Sequence, residues 1–434
     1  MTLEKNKHSR TYLILLVLFA LILLVFSVVP VANSLHGRGK DYFKWYTAGQ
    51  AVLQHGDVYT KSADGTLDFM YPPTAAMLMA PLSAAGQLSF VIILQVVNIA
   101  SLVACVLLSV HLATGRALYQ HPLLYAVPTA ACLPYVWDNF LLGQPSILLL
   151  ACLLGGFACL QRSQNAAASA LIALAAAIKA FPILCVGYLV YRRNWKAVVL
   201  SFVFLATFLV LLPAPFRGFQ QNLRDLKTWN TCMALHYNAD SIAQRPDRGY
   251  SWKNQSLLAV ANRLLRPVPK DGSLLVNVVT IPFVAVNVVI VSAMLALCLF
   301  YVGTMPSADR RTPRSDSIEY AILILLILMF TPLSFSYLYV WLLYPFAVAL
   351  QAALTSPAGS HQRHVIVAGF LGCLLLYSFG FPWFRYAQAL GNSFWTCVLL
   401  VVGLGILLRR VSGSRGFESV PGFAVAARMT PTSQ

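Results

Sequence analysis

Apolar residues run along this chain in long blocks. They show neither the alternation of a half-buried strand nor the polar stripe of a surface helix. The blocks cover 11–32, 88–114, 122–137, 145–161, 166–191, 197–215, 273–303, 318–331, 337–354, 364–381 and 393–408. A helix of about 20 apolar residues crosses a hydrocarbon core of about 30 Å. The first block exceeds the roughly 7–15 residues of a signal-peptide core, so an uncleaved first helix is expected. The block at 166–191 is interrupted at Lys179-Ala180-Phe181-Pro182. Proline lacks an N–H donor and disfavours helix in the residue before it. Two half-helices that dip in and return are expected there. The whole pattern predicts an all-α polytopic membrane protein with about eleven or twelve passes.

The polar positions between the blocks orient the chain. Short basic clusters stand at 5–10, 191–196, 309–316 and 409–410. Short basic connections face the cytoplasm. The N-terminus is therefore expected inside, and 33–73, 138–144, 216–272, 332–336 and 382–392 outside. Nine acids fall on that outer face: Asp41, Asp57, Asp64, Asp68, Asp138, Asp225, Asp240, Asp247 and Asp271. None stands in the middle of a span, where a proton-coupled transporter usually places one. Residues 1–410 form a single transmembrane domain whose outer loops 33–73 and 216–272 carry short amphipathic helices. Residues 411–434 read as a disordered cytoplasmic tail.

Composition agrees with this picture and narrows the chemistry. Of the 434 residues, 59% are hydrophobic and 10% charged, against about 25% charged in soluble domains. The net charge of +17 fits basic loops against anionic lipid head groups better than nucleic acid. The nine cysteines lie mostly in apolar spans and form no C-x-x-C pair, which removes zinc and redox readings. No Gly-rich phosphate loop and no dinucleotide fingerprint is present. No cofactor or metal is expected. A substrate would arrive through the lipid, and its chemistry would happen at the membrane boundary.

Six stretches could carry that chemistry. Asp41 lies between Lys40 and Lys44, shortly after the first block. It reads either as a solvated loop acid paired with Lys44 at i+3 or as a base. Tyr71-Pro72-Pro73 sets an extended start to a short amphipathic helix, and Tyr71 is alternatively an interfacial belt residue. Gly143-Gln144 sits at the mouth of a span, where Gly permits close backbone approach and Gln144 offers donor and acceptor. Lys179 is the only charge deep in an apolar run. It snorkels or, beside Pro182, lines a protein cavity and holds a phosphate. The stretch 251–267 combines Asn254-Gln255 with Arg263 and Arg266, and 331–341 places Tyr337 at the next outer turn.

In their order and spacing these motifs resemble the polyprenol-phosphate-mannose-dependent mannosyltransferases of phosphatidylinositol mannoside synthesis, glycosyltransferase family 87, over about residues 37–341. The resemblance rests on an acid soon after the first helix, "YPP", "GQPSILLL", "AAAIKAFPIL" and "NQSL". It implies a GT-C membrane fold and transfer of a hexose, mannose above all, from a polyprenyl-phosphate donor on the outer face of the cell membrane. The acceptor is a lipid-linked or glycan hydroxyl, and the anomeric configuration inverts. Asp41 matches the family's general base. Tyr71, Gln144, Lys179, Asn254 and Gln255 match the family pattern and are implied to bind substrate; Lys44, Arg263 and Tyr337 are expected, from the residues themselves, to join them. Relatives often carry His near Tyr337, and this chain reads Ser334-Phe335-Ser336-Tyr337-Leu338. Two other classes stay open. A lipid or glycan flippase would show a polar path across the whole bilayer and internal repeats. An assembly subunit would tolerate loss of Asp41.

Overall fold

The computed structural model describes residues 2–61, 66–116, 121–244, 249–268, 274–380 and 383–413, with side chains from residue 13 onward. Asp64, Asp247, Asp271 and the tail from 414 lie outside the described residues. Among the described residues there is no strand, and only two isolated β-bridges, Lys61 with Leu67 and Tyr237 with Ile242.

The chain opens with α1 (Thr2–Leu35). Two short helices follow, α2 (Asp41–Leu53) and α3 (Pro73–Ser83), then the long α4 (Gln87–Thr114). α5 (Leu123–Leu142) and α6 (Ser146–Gln161) meet at a bend of 119°. Next come α7 (Asn165–Ile178), α8 (Cys185–Tyr191) and α9 (Trp195–Ala206), the last prolonged by a π-turn at Thr207–Leu211. One turn, α10 (Ala214–Arg217), leads to α11 (Phe219–Trp229) and, after a loop, α12 (Leu257–Leu265). The C-terminal part holds α13 (Phe283–Thr304), α14 (Pro313–Phe330), α15 (Leu343–Thr355), α16 (His361–Ser378), α17 (Arg385–Ala389) and α18 (Asn392–Gly413).

Burial separates two kinds of apolar helix. α1 and α13 leave Leu13, Leu16, Val284 and Val288 more than half exposed, although no polar face balances them. Such helices are stable only where lipid is the solvent. α14 and α15 are buried on all sides, with Tyr344 and Phe346 at zero exposure and Trp341 just before them equally covered. They form the centre of the bundle. α14 starts cleanly because Thr312 and Ser315 make a reciprocal capping box ahead of Pro313, which satisfies helix N–H groups that hydrocarbon would leave orphaned.

Among the described residues six helices are long and apolar enough to cross a membrane, or seven if the bent α5–α6 pair is one span. This is fewer than the eleven or twelve passes expected from the apolar blocks. The difference has a physical cause. α7, with 14 residues, is short for a crossing. α14 carries Arg314, Asp316 and Glu319 in its first two turns. Buried inside the bundle, such helices need no full apolar length. The expected dip and return at 166–191 is present: α7 ends at Ile178, and the Asn194 amide after α8 donates to Asn165 Oδ1 at the start of α7 (2.8 Å). Both ends of this hairpin therefore lie at one end of the bundle and its tip at the other.

The hairpin is anchored at its base by a buried ion pair. Glu319, with no exposure, accepts from the Tyr188 hydroxyl (2.9 Å) and from Arg192 Nε (3.0 Å) and Nη2. Arg192 also donates to the Pro306 carbonyl (2.9 Å). Removing one partner of such a pair leaves an uncompensated buried charge, at a cost of about 3–5 kcal/mol. Glu319→Ala is expected to lower the melting temperature of the detergent-solubilised protein by well over 5 °C, and Glu319→Gln by less. Unchanged melting in both variants would show that the network is not structural.

Candidate functional site

The turn after α1 delivers the first element of the site. Lys40 stands at φ 46°, ψ −125°, a backbone state that non-glycine residues rarely adopt, and Asp41 begins α2 directly after it. The carboxylate sits at a helix N-terminus, where unpaired N–H groups and the helix dipole favour negative charge. Tyr42 and Trp45, on the same helix, are both buried. The Tyr42 hydroxyl donates to the Phe140 carbonyl (2.5 Å) and accepts from the Gln95 amide (2.6 Å).

The second element is the tip between α5 and α6. Gly143 caps α5 at φ +73°, and a Cβ there would stand 2.9 Å from the Tyr42 ring. No other residue type fits both the backbone angle and the contact. This approach places Gln144, which is buried, beside Asp41. The Gln144 amide donates to Asp41 Oδ2 (2.6 Å), and its Oε1 accepts from the Tyr71 hydroxyl (2.8 Å). Gln144 thus ties the acid to the phenol. Tyr71 stacks on Trp45, with ring centroids 4.1 Å apart, and its carbonyl accepts from the Tyr59 hydroxyl (2.8 Å). Burial, with Asp225 adding to it and Arg217 opposing, pushes the Tyr59 phenol well above its usual range. It remains a neutral donor.

The third element is the tip of the α7–α8 hairpin. Lys179 leaves the helix in an extended conformation (φ −152°, ψ 109°). Its Nζ lies 4.8 Å from the Tyr337 ring centroid, 5.4 Å from that of Tyr71 and 5.7 Å from that of Phe181. Aromatic faces stabilise a partly desolvated ammonium without neutralising it. Tyr337 is held in turn by Asn139, whose amide donates to the Tyr337 carbonyl (2.6 Å) and the Tyr135 carbonyl (2.8 Å).

Asp41, Tyr71, Gln144, Lys179 and Tyr337 therefore converge from five separate stretches. The remaining expected residues do not join them. Among the described residues the Lys44 ammonium makes no hydrogen bond or ion pair with the cluster. Asn254 is fully buried and donates to the Gly249 (2.7 Å) and Pro332 (2.8 Å) carbonyls, while its Oδ1 accepts from the Ser334 backbone (2.9 Å). The Gln255 amide donates to the Trp252 and Gln388 carbonyls, both at 2.7 Å. Arg263 directs its guanidinium at the carbonyls of Ser251, Asn254 and Ala389. Asn254 locks the 249–256 loop to the 331–334 turn, two residues before the helical turn that carries Tyr337, while Gln255 and Arg263 tie the loop to the Gln388 and Ala389 carbonyls of α17. Sequence reasoning missed Tyr42, Trp45, Asn139 and Phe181 as supports. The aromatic run after Asp41 was the only signal for the first two.

Gly143→Ala tests the keystone of this arrangement. Left-handed backbone costs an alanine about 1–2 kcal/mol, and the collision with Tyr42 adds overpacking of about 1–3 kcal/mol. The variant is expected to melt several degrees lower. Whatever activity the protein has should fall with it, because Gln144 shifts away from Asp41. Full retention of both would show that the Tyr42 contact does not set the site.

Residues 69–332 match the sequence profile of glycosyltransferase family 87. No curated protein and no solved structure gave a match. Tyr71, Gln144, Lys179, Asn254, Gln255 and Arg263 lie inside the matched segment, and Asp41, Lys44 and Tyr337 outside it. The match spans more than half of a chain whose apolar helices are built for a membrane, and the chain belongs to glycosyltransferase family 87, as a multi-pass membrane glycosyltransferase.

Proposed function

We propose that this enzyme transfers a hexose, mannose above all, from a polyprenyl-phosphate donor to a hydroxyl of a lipid-linked or glycan acceptor. The reaction occurs on the outer face of the cell membrane and inverts the anomeric centre. The observation that carries this reading is the hydrogen-bonded series Asp41–Gln144–Tyr71 with the Lys179 ammonium against the same Tyr71 ring. A carboxylate linked through Gln144 to a phenol whose ring also faces a cation suits a reaction in which a proton is taken at one end and an anion leaves at the other.

The acceptor oxygen attacks the anomeric carbon, and the bond from that carbon to the phosphate oxygen breaks. Asp41 takes the acceptor proton. Gln144 occupies Oδ2 and so fixes the carboxylate rotamer, leaving Oδ1 for that proton. Polyprenyl phosphate leaves with the bonding electron pair, and Lys179 stabilises its charge. Phosphate is already a good leaving group, so no second carboxylic acid is required to protonate it. The donor brings its own activation through the membrane, which agrees with a chain that carries no nucleotide-binding motif.

Two substitutions test this reading with purified protein and a radiolabelled polyprenyl-phosphate hexose. General bases contribute about 10²–10⁴-fold, or roughly 3–5 kcal/mol of barrier. Asp41→Asn is expected to lose at least about a hundredfold in turnover with donor binding nearly kept, whereas Asp57→Asn, at an exposed loop acid, stays near the parent. Retention of more than about a third of activity in Asp41→Asn would assign the base elsewhere. Lys179→Met removes a charge-assisted contact of about 1.5–3 kcal/mol. The donor KM should rise about tenfold or more while the melting temperature holds. An unchanged donor KM would make Lys179 a structural cation.

A further inference from the structure

One amphipathic helix of the structure is inside out. A helix on a water-facing surface turns its apolar stripe inward and its polar face outward. α11 does the reverse. Asn222 and Asp225 are its buried residues, whereas Phe219 and Leu223, one turn apart, are 55% and 43% exposed. The polar side has partners within the protein. The Asn222 amide donates to the Leu209 carbonyl (2.9 Å), and Asp225 accepts from Arg217 (2.7 Å) and Gln221 (3.0 Å). The apolar side has none of this cover. Beside Leu223 on the helix surface, at i+4, stands Lys227, and Arg224 lies on the same flank. Both are exposed, and among the described residues neither closes an ion pair with a carboxylate.

The place of α11 in the chain identifies what covers it. The apolar span that begins with α9 runs to Arg217. Val199, Phe202, Val203 and Leu211 are more than half exposed along it, as lipid-facing residues are. Phe216, 58% exposed, extends that surface to the end of the span. Gly218 then turns the chain at φ +75°, ψ 142°, a state open almost only to glycine, and the exposed apolar series resumes at Phe219. A surface that starts in hydrocarbon thus continues onto a helix flanked by two cations. A protein partner would have to supply acids for Arg224 and Lys227, whereas lipid head groups carry phosphate at that depth. Helices with Phe and Leu on one face and Lys and Arg beside it lie in the plane of the boundary, with the apolar side about 5–10 Å into it. The stretch that leads to Tyr71 hangs on this region. Arg217 Nη1 donates to the Gly56 carbonyl (2.7 Å), and Trp229 Nε1 donates to the Met70 carbonyl (3.1 Å).

We propose that α11 is an interfacial helix whose partner is the bilayer: acyl chains cover Phe219 and Leu223, and head-group phosphates meet Arg224 and Lys227. This partner is independent of the reaction. The experiment uses the unmodified full-length protein in phosphatidylcholine vesicles doped with a photoactivatable phosphatidylcholine. Its diazirine stands either next to the glycerol or at the end of the acyl chain. Trypsin separates residues 218–224 from residues 197–217, so the spanning segment is an internal standard in every sample. The shallow probe is expected to label 218–224 at least about a third as heavily as 197–217, and the deep probe at most about a tenth, as immersion to about 5–10 Å requires. Phe219→Asp combined with Leu223→Asp is expected to lower the shallow-probe ratio at least about fivefold, because the face would then favour water. Absence of shallow label on 218–224, with 197–217 labelled, would put this face in water or under another protein and overturn the proposal. A parental ratio in the double variant would overturn it too.

Discussion

The site depends on the packing of one glycine against one aromatic ring. Gly143 lies on the face of Tyr42 with no room for a Cβ, and that contact puts the next residue, Gln144, against the residue before Tyr42, Asp41. Two neighbouring pairs, Asp41-Tyr42 and Gly143-Gln144, dock as a unit: ring on backbone, amide on carboxylate. A loop acid on flexible chain would lose much of the advantage of position that catalysis draws on. Here α2 and the α5–α6 tip share the cost of ordering, because the Tyr42 hydroxyl also satisfies the otherwise unpaired Phe140 carbonyl near the end of α5.

A polar tip within a membrane bundle has a second requirement. Backbone groups released where helices break need partners, since hydrocarbon supplies none. The loop at 249–256 and the turn at 331–334 solve this with side chains. Asn254 serves two carbonyls and two backbone N–H groups, from Ser256 and Ser334, and Arg263 serves three further carbonyls. Their motif spelling, a run of polar residues beside an arginine, resembles a ligand-binding loop, yet the partners they meet are peptide groups. The hairpin that lifts Lys179 obeys the same rule from the other end. Glu319 and Arg192 close its base, and aromatic rings receive the ammonium at its tip.

These cases show what a single sequence makes legible. Asp41, Tyr71, Gln144, Lys179 and Tyr337 are each conspicuous locally, because polarity at the edge of an apolar block is costly and so stands out. The break of 166–191 at Lys179 was equally legible, since proline chemistry acts over one or two residues. The passes were not countable in the same way. Hydropathy records how apolar a helix is, but α14 is surrounded by protein and carries three charged residues near its start without penalty. The supports were hidden for a related reason. Asn139 and Tyr42 act through carbonyls and ring faces, which any amide or aromatic can reach once the fold brings them close, so nothing in the spelling around Asn139, and only the aromatic run around Tyr42, sets them apart from ordinary helix residues. Asn254, Gln255 and Arg263 were legible as polar residues, whereas the direction of their hydrogen bonds appears only with the backbone in place.

The family match and the site cover different parts of the chain, and their overlap is informative. The matched segment begins at residue 69 and leaves out Asp41. It includes Tyr71 and Gln144, the groups that receive Asp41. An amide that donates to a carboxylate oxygen and accepts from a phenol has both ends committed by geometry. Were the acid absent, the Gln144 N–H would be a buried donor facing nothing, at a cost of about 1–3 kcal/mol. Within this chain, then, the matched core already contains the imprint of the acid that lies outside it. The helix N-terminus of α2 supplies that acid at a point where its charge is favoured by the dipole and its rotamer is held by an amide, while the residue stays partly exposed.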